Sequence, residues 1–411
     1  MTKRRRRINW FWVTVVAGLI FSTSYFGRDI VDEVQNPFID TPTPTRAPES
    51  FVSEAEAAFE NGKLLQAISS YQDAIRSNPQ DPNSYIEMAR VQVFIGQYEE
   101  ALESAEKALL LNPNNSMAHA VRGWALDFTQ EYLAAESAIK RALELDPNNA
   151  IAHAYYAEIL ADSFAAGVGP LDSIELAAEE SRVALSLAPN LMEAHRARAY
   201  VLEITGNYEE AIQEYEIAIN LNPNIPDLHL SLGRNYRALS VYDKAEESFT
   251  RANALNPGDP LPDLYLSRTY ATLGEYAKAV QYGEQALKDD ALDASLHGNL
   301  GVAYYYNYQW IEASQELALA IYGGNLGEDQ IVEGIILGNT PRSAEYYYTY
   351  ARVLANLNKC GEALQISQQI IGTIPSNELA VSNANEAIAA CEENLDSPEP
   401  TPVEETGPAD A

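Results

Sequence analysis

Six prolines set the beat of this chain. Pro79, Pro113, Pro147, Pro189, Pro223 and Pro257 recur at intervals of 34, 34, 42, 34 and 34 residues. A sequence that repeats at such a period builds its core by stacking like units, not by folding around one centre. The phrase LNPNNSMAHA (111–120) returns as LDPNNAIAHA (145–154), histidine included. Alanines keep the same time: Ala67, Ala101, Ala135, Ala177, Ala211, Ala245, Ala279 and Ala313, each followed seven residues later by another alanine. Seven residues is about two helical turns, so each pair marks one face of one helix, where small side chains let a second helix come close. Ahead of each pair lies another helical stretch, often closed by Gly–x–Tyr as at 96–98, 206–208 and 274–276. Glycine suits the end of that first helix, and proline stops the second.

The stretch SLGRNYRALSVYDKAEESFTRANALNP (231–257) carries Leu–Gly, Tyr, Ala, Phe, Ala and Pro in the order of the tetratricopeptide repeat family, which the chain closely resembles over residues 48–393. The resemblance implies an all-α protein: a right-handed α-solenoid of about nine helix pairs, starting near 48, 82, 116, 150, 192, 226, 260, 294 and 344. A capping helix at about 378–393 covers the open end, as a solenoid requires. Two departures interrupt the pattern. Repeat four carries eight extra residues near 163–173, rich in glycine with one proline, which reads as a widened loop. A longer insertion, 323–343, precedes repeat nine, and its QIVEGIIL segment reads as a short strand pair or an irregular loop.

Outside the array, residues 1–7 are basic and residues 8–27 hold no charged side chain. A run of that length spans the hydrocarbon of a bilayer, with Trp10, Trp12 and Tyr25 near its ends where interfacial rings belong. The reading is one transmembrane signal-anchor with the basic segment in the cytoplasm. A cleaved signal peptide is the rival reading. Residues 28–47 form a Thr/Pro-rich linker, and residues 394–411 an acidic, disordered tail. On either reading of residues 8–27, the array lies outside the cytoplasm; on the anchor reading it is tied to the cell membrane by a single pass.

Composition narrows function. With 59 acidic and 27 basic residues the net charge is −32, a surface that repels nucleic acid. No phosphate-binding loop, metal-ligand cluster or nucleophile elbow is present, so neither cofactor, metal nor catalytic residue is expected. An enzyme of unrecognised type would need a buried, converging acid pair in the groove. The five histidines, His119, His153, His195, His229 and His297, all fall at the fourth position of their repeats. Neighbouring units stack about 8–10 Å apart, too far to share an ion, so the rings are read as packing elements.

The resemblance implies that first helices line a concave face whose positions 2, 5, 9, 12 and 13 meet ligands. Carried onto this sequence, those positions supply Arg90, Arg234, Arg237, Arg268 and Arg352, with Tyr305, Tyr306 and Tyr348. Arginine and tyrosine dominate binding hot spots, and arginine grips carboxylates with two parallel hydrogen bonds. The same arginines equally suit neutralising glutamates of adjacent units. Two cysteines complete the inventory: Cys360 opens the second helix of repeat nine and Cys391 closes the cap, on one edge of such a stack, so a structural disulfide is expected. The functional expectation is an envelope scaffold that holds a protein or peptide partner in its groove, for assembly or complex formation. The alternative is a small-ligand or polysaccharide binder that uses the Tyr-rich repeats.

Overall fold

Helix boundaries follow directly from side chains that satisfy exposed amides. The computed structural model describes residues 14–15, 46–327, 330–338 and 340–396. Most first helices start behind acceptor caps: Asp81 accepts from the amides of Asn83 and Ser84, Asn115 from Ala118, Asn149 from Ala152, Asp259 from Leu261, Asp293 from Ser295 and Thr340 from Ser343. Pro82, Pro226, Pro260 and Pro341 stand at the first turn, where no amide partner is needed. Most first helices end in a residue of left-handed backbone: Gly62, Gly96, Gly206 and Gly274, but also Gln130, Ser240, Tyr308 and Asn358. The amide after it closes back on the helix, as Gln97 does on the Gln92 carbonyl at 2.9 Å and Glu275 on that of Tyr270 at 2.9 Å. This closure satisfies the helix-end carbonyls and launches the second helix antiparallel to the first.

Nine helix pairs result among the described residues. They are α1 (Pro48–Glu60) with α2 (Leu64–Ser77), α3 (Pro82–Phe94) with α4 (Tyr98–Leu111), and α5 (Ser116–Phe128) with α6 (Tyr132–Leu145). Next come α7 (Ala150–Ala165) with α8 (Ser173–Leu187), α9 (Met192–Ile204) with α10 (Tyr208–Leu221), and α11 (Pro226–Ala238) with α12 (Tyr242–Leu255). The last three are α13 (Pro260–Thr272) with α14 (Tyr276–Asp289), α15 (Ala294–Tyr306) with α16 (Trp310–Tyr322), and α17 (Pro341–Asn356) with α18 (Cys360–Thr373). A final helix, α19 (Glu378–Asp396), packs on both α17 and α18. Every alanine of the eight pairs is at most 1% exposed, so the methyl contacts set the distance between helices. Glycine goes further where a ring needs the room: a Cβ on Gly233 would sit 2.5 Å from the Phe249 ring.

The insertion before repeat nine is a short antiparallel pair, β1 (Gly324–Gly327) with β2 (Gln330–Val332). Its continuation is pinned to the array, with the Ile335 amide bonded to the Ala320 carbonyl and the Tyr347 hydroxyl donating to the Ile335 carbonyl. Cys360 and Cys391 are joined in a disulfide across a Cα–Cα distance of 5.4 Å, tying α18 to α19. Among the described residues no helix is long and apolar enough to cross a membrane. Apart from Thr14 and Val15, which are helical, the anchor expected at 8–27 lies outside the described residues, as do the basic segment, nearly all of the linker and residues 397–411.

A solenoid unit ordinarily touches only its neighbours. Here the first repeats also meet the middle of the array. Arg90 of α3 bonds Glu193 of α9, 103 residues on. The Asn224 amide donates to the Glu60 carbonyl at 2.8 Å, 164 residues back, where Gly62 presses against it. Gly62 combines a positive φ with this contact, and a Cβ there would lie 2.8 Å from that of Asn224. Repeats one to six therefore wind back onto themselves, and the inner faces of repeats two to six become an interior.

Candidate functional site

Two stretches of inner face meet the requirements of a site, and they are built differently. In the closed part, Arg196 of α9 is the hub. Its guanidinium lies 4.5 Å from the Trp124 ring centroid and 5.5 Å from that of Phe94, and it is 4% exposed. It donates to Glu158 at 2.5 Å and to Asp227 at 3.3 Å. Trp124 stacks on Tyr155 with centroids 4.3 Å apart and donates its indole N–H to Glu158 at 3.0 Å. Buried charges persist only when paired and hydrogen-bonded in this way.

Two residues expected at a partner-binding face belong to this closed part. Arg234 grips Glu203 through two nitrogens, at 2.9 and 3.3 Å, and Asn235 donates to the same carboxylate at 2.9 Å. Arg90 is held between Glu87 and Glu193. Both guanidiniums thus have carboxylate partners within the array.

Beside this hub lies a chamber of about 260 Å³, walled by Asp127, Phe128, Tyr132, Glu158, Asp162 and Tyr200, with Arg196 and Arg234 at its edge. Asp127 and Asp162 turn their carboxyls toward each other within hydrogen-bond reach, and Tyr200 donates to Asp162. Burial raises the proton affinity of both, and for Asp127 the neighbouring Asp162 charge raises it further. This is a buried, converging acid pair of the kind an enzyme in the groove would need. Both carboxyls are displaced in the same direction, whereas an acid standing beside a base requires environments that push two groups apart.

The open stretch belongs to repeats six to nine. Arg237, Arg268 and Arg342 converge there with Tyr276, Tyr306 and Glu345 around a cleft of about 290 Å³. Arg268 donates to the Asn299 side chain at 3.1 Å, and Arg342 pairs with Glu345 at 2.6 Å on its own helix. The Nε of Arg237 is buried without a hydrogen-bond partner. Burial first, and then the neighbouring guanidiniums, make protonation of Arg237 and Arg268 less favourable than usual. Such crowding stores positive potential that an incoming anion would relieve.

The rings continue this surface. Tyr276 stacks on Tyr306 with centroids 5.5 Å apart, and Tyr305 meets Tyr306 edge-on at 5.1 Å. Arg352 lies 5.7 Å from the Tyr305 ring and pairs with Asn383 at 2.7 Å and Glu386 at 2.9 Å. Tyr348 is half-buried beside them, whereas Tyr346, Tyr347 and Tyr350 are core. Arg196, Arg342 and Tyr276 were not singled out from the sequence. Arg342 precedes the repeat frame, which begins near 344, because α17 starts early at Pro341.

The histidines do more than pack. Each Nε2 reaches the carbonyl six residues earlier, between 2.9 and 3.0 Å, and so fastens the turn ahead of its helix. His153, His195 and His297 also bring Nδ1 to a carboxylate of the second helix, Glu180, Glu214 and Glu316, at 2.5 to 2.6 Å.

Comparison with known proteins agrees with this architecture. Tetratricopeptide repeat models match residues 58–125, 118–149 and 230–295, and a TPR repeat model matches 204–239. A search among curated proteins finds no match. The chain is similar to the human IFIT1 dimer with PPP-AAAA, at 16% identity over 84% of this chain and 82% of that one, with a TM-score of 0.54. It is also similar to yeast Tom70, at 15% identity over 85% and 97% with a TM-score of 0.42. A tetratricopeptide repeat protein from Parabacteroides merdae is 16% identical over 62% and 98%, with a TM-score of 0.41. At these identities the likeness is one of fold.

Proposed function

The chain belongs to the tetratricopeptide repeat family, and from that premise we propose that it is an interaction scaffold which holds a protein or peptide partner along the inner face of repeats six to nine. The observation that carries this reading is the convergence of Arg237, Arg268 and Arg342 beside Tyr276 and Tyr306, with Arg237 Nε left without an acceptor. Arg352, Tyr305 and Tyr348 extend the surface toward the cap. Clustered arginines and half-exposed tyrosines make anchors of the kind that dominate interfaces, and their charge selects acidic segments. Arg90 and Arg234 hold the closed part together through Glu193 and Glu203.

We place the scaffold outside the cytoplasm, tied to the cell membrane by residues 8–27, in assembly of an envelope complex. Supporting this are the basic segment ahead of an uncharged run and a disulfide, which persists in oxidising compartments. Exposed Tyr308 and Tyr322 favour the small-ligand alternative only weakly, since the other rings nearby are core or stacked on one another.

A crosslinked pull-down from native membranes tests the reading, comparing wild type with the combined Arg237→Glu, Arg268→Glu and Arg352→Glu variant. A partner captured by wild type and lost from the folded variant is the expected result. Equal capture by both would remove the site from these repeats.

A further inference from the structure

We propose that the chamber between repeats three and six is a binding site for a small organic cation, a primary alkylammonium held by Asp127 and Asp162. The proposal does not depend on the partner surface above.

A count of partners carries it. Four carboxylates line the chamber, Asp127, Glu158, Asp162 and Asp227, against two guanidiniums, Arg196 and Arg234. Arg196 is taken by Glu158 and Asp227, and Arg234 by Glu203 outside the chamber wall. Neither guanidinium forms an ion pair with Asp127 or Asp162, although both lie near enough to favour the Asp162 charge. Asp127 is 4% exposed, and its Oδ1 is buried with no hydrogen-bond donor; Glu158 Oε1 is in the same condition. Buried acceptors of this kind cost about 1–3 kcal/mol each when unmatched. An ammonium supplies three donors and no acceptor, which is the complement of that pair.

The walls favour an organic cation over a metal ion. Among the described residues no three acid, histidine or cysteine groups are placed to hold a metal. Phe128, Tyr132, Tyr200 and Tyr215 line the same chamber, and aromatic rings attract alkylammonium groups. Next door lies an apolar cavity of about 440 Å³, walled by Leu133, Ile159, Leu160, Val168 and Pro170 and sharing Gln130 and Tyr132 with the chamber. The widened loop of repeat four contributes Val168, Gly169 and Pro170 to the wall of this second cavity.

Burial raises the proton affinity of both facing carboxyls, and the Asp162 charge raises that of Asp127 further, despite Arg196 and Arg234 nearby. On this proposal binding exchanges a proton of the pair for the ammonium: R–NH3+ enters and H+ leaves, with no bond made or broken in the ligand. Glu158 and Asp227 with Arg196, Glu203 with Arg234, and Tyr132, Tyr200 and Tyr215 are the other titratable groups facing the pair.

Isothermal titration of the full chain with butylammonium chloride, in buffers of different ionisation enthalpy, provides the test. The expected result is saturable one-to-one binding that releases about one proton. Affinity should rise about tenfold per pH unit while the pair retains its proton. Asp127→Asn and Asp162→Asn, checked for folding by their melting curves, should each weaken binding at least tenfold. Potassium chloride at equal ionic strength and neutral 1-butanol should not compete. Competition by potassium would mean counterion attraction to an acidic surface, and equal binding of butanol would mean apolar filling alone; either overturns the proposal. Binding without proton release in wild type does so too, even where the variants fail to fold.

Discussion

The closed and open halves of the inner face use the same residue types for opposite ends. In the closed part, Arg90, Arg196 and Arg234 each have a carboxylate against them: Arg90 with Glu193, Arg196 with Glu158, Arg234 with Glu203. In repeats six to nine Arg342 and Arg352 keep Glu345 and Glu386, but Arg237 and Arg268 form no ion pair among the described residues, and burial and the neighbouring guanidiniums make both less willing to hold their protons. The lesson is that an arginine at a ligand-facing repeat position acquires its role from the curvature of the array. Where the superhelix closes, its partner comes from another repeat; where it stays open, Arg237 and Arg268 are left without a carboxylate among the described residues.

The comparison breaks most visibly at the hub. Arg196→Leu removes the cation shared by Glu158 and Asp227 and should destabilise the protein by about 3–5 kcal/mol in denaturant unfolding. Arg268→Met in the open half, which relieves repulsion from Arg342, should cost less than about 1 kcal/mol. Comparable losses for the two would erase the distinction between the halves.

Next in size is the cap. Cys360→Ser opens a disulfide of sequence separation 31, a loss of about 3–4 kcal/mol by the chain-entropy argument. Hydrogen exchange should show that loss confined to α18 and α19 and leave protection of the closed repeats unchanged. Spread of the exchange into α3 or α9 would mean that the two halves unfold as one.

A smaller effect depends on pH. At His153 and His297 burial disfavours the charged ring, but hydrogen bonds to Glu180 and Glu316 and to the loop carbonyls outweigh it, so both titrate above the ordinary value. Stability from these rings is fully present below the unfolded value of about 6.5 and is lost as pH rises through the raised folded values. Melting temperature should therefore fall from pH 6 toward pH 9, with a shallower slope in the combined His153→Gln and His297→Gln variant. An unchanged slope would remove the histidines from the account. Least in size, Ser240→Gly relieves a non-glycine residue at φ 61° and should stabilise the protein by up to about 1 kcal/mol.

The fold was legible because the repeat states it many times: the alanine pairs that set the spacing all lie in the core. The histidine clamp was legible in principle and passed over. A glutamate stands 19 residues after His195 and His297, and 27 after His153, the difference being the eight residues inserted in repeat four. At the same offset His119 meets Ala138 and His229 meets Ser248, and neither has a carboxylate on Nδ1. What the period hides is contact across the superhelix. Arg90 and Glu193 both occupy ligand-facing positions of their own units, but their pairing follows from accumulated rotation over three repeats, which no single unit encodes. Asp127 and Asp162 are likewise two acids among 59 until that curvature brings their neighbours into place.

The bond from Asn224 to the Glu60 carbonyl spans 164 residues, and that distance has a kinetic meaning. Stacked repeats have low contact order and can grow from any point, each new unit finding its surface ready. A ring closed between repeat one and the end of repeat five cannot be completed that way. As the chain emerges from its N-terminal end, Arg90 of α3 must wait for Glu193 of α9, and the Glu60 carbonyl at the end of α1 for Asn224 ahead of α11, while repeats seven to nine add one at a time behind them. Synthesis thus passes through a stage at which about half the array is made and its inner charges are still in water, and the arrival of Asn224 ends that stage.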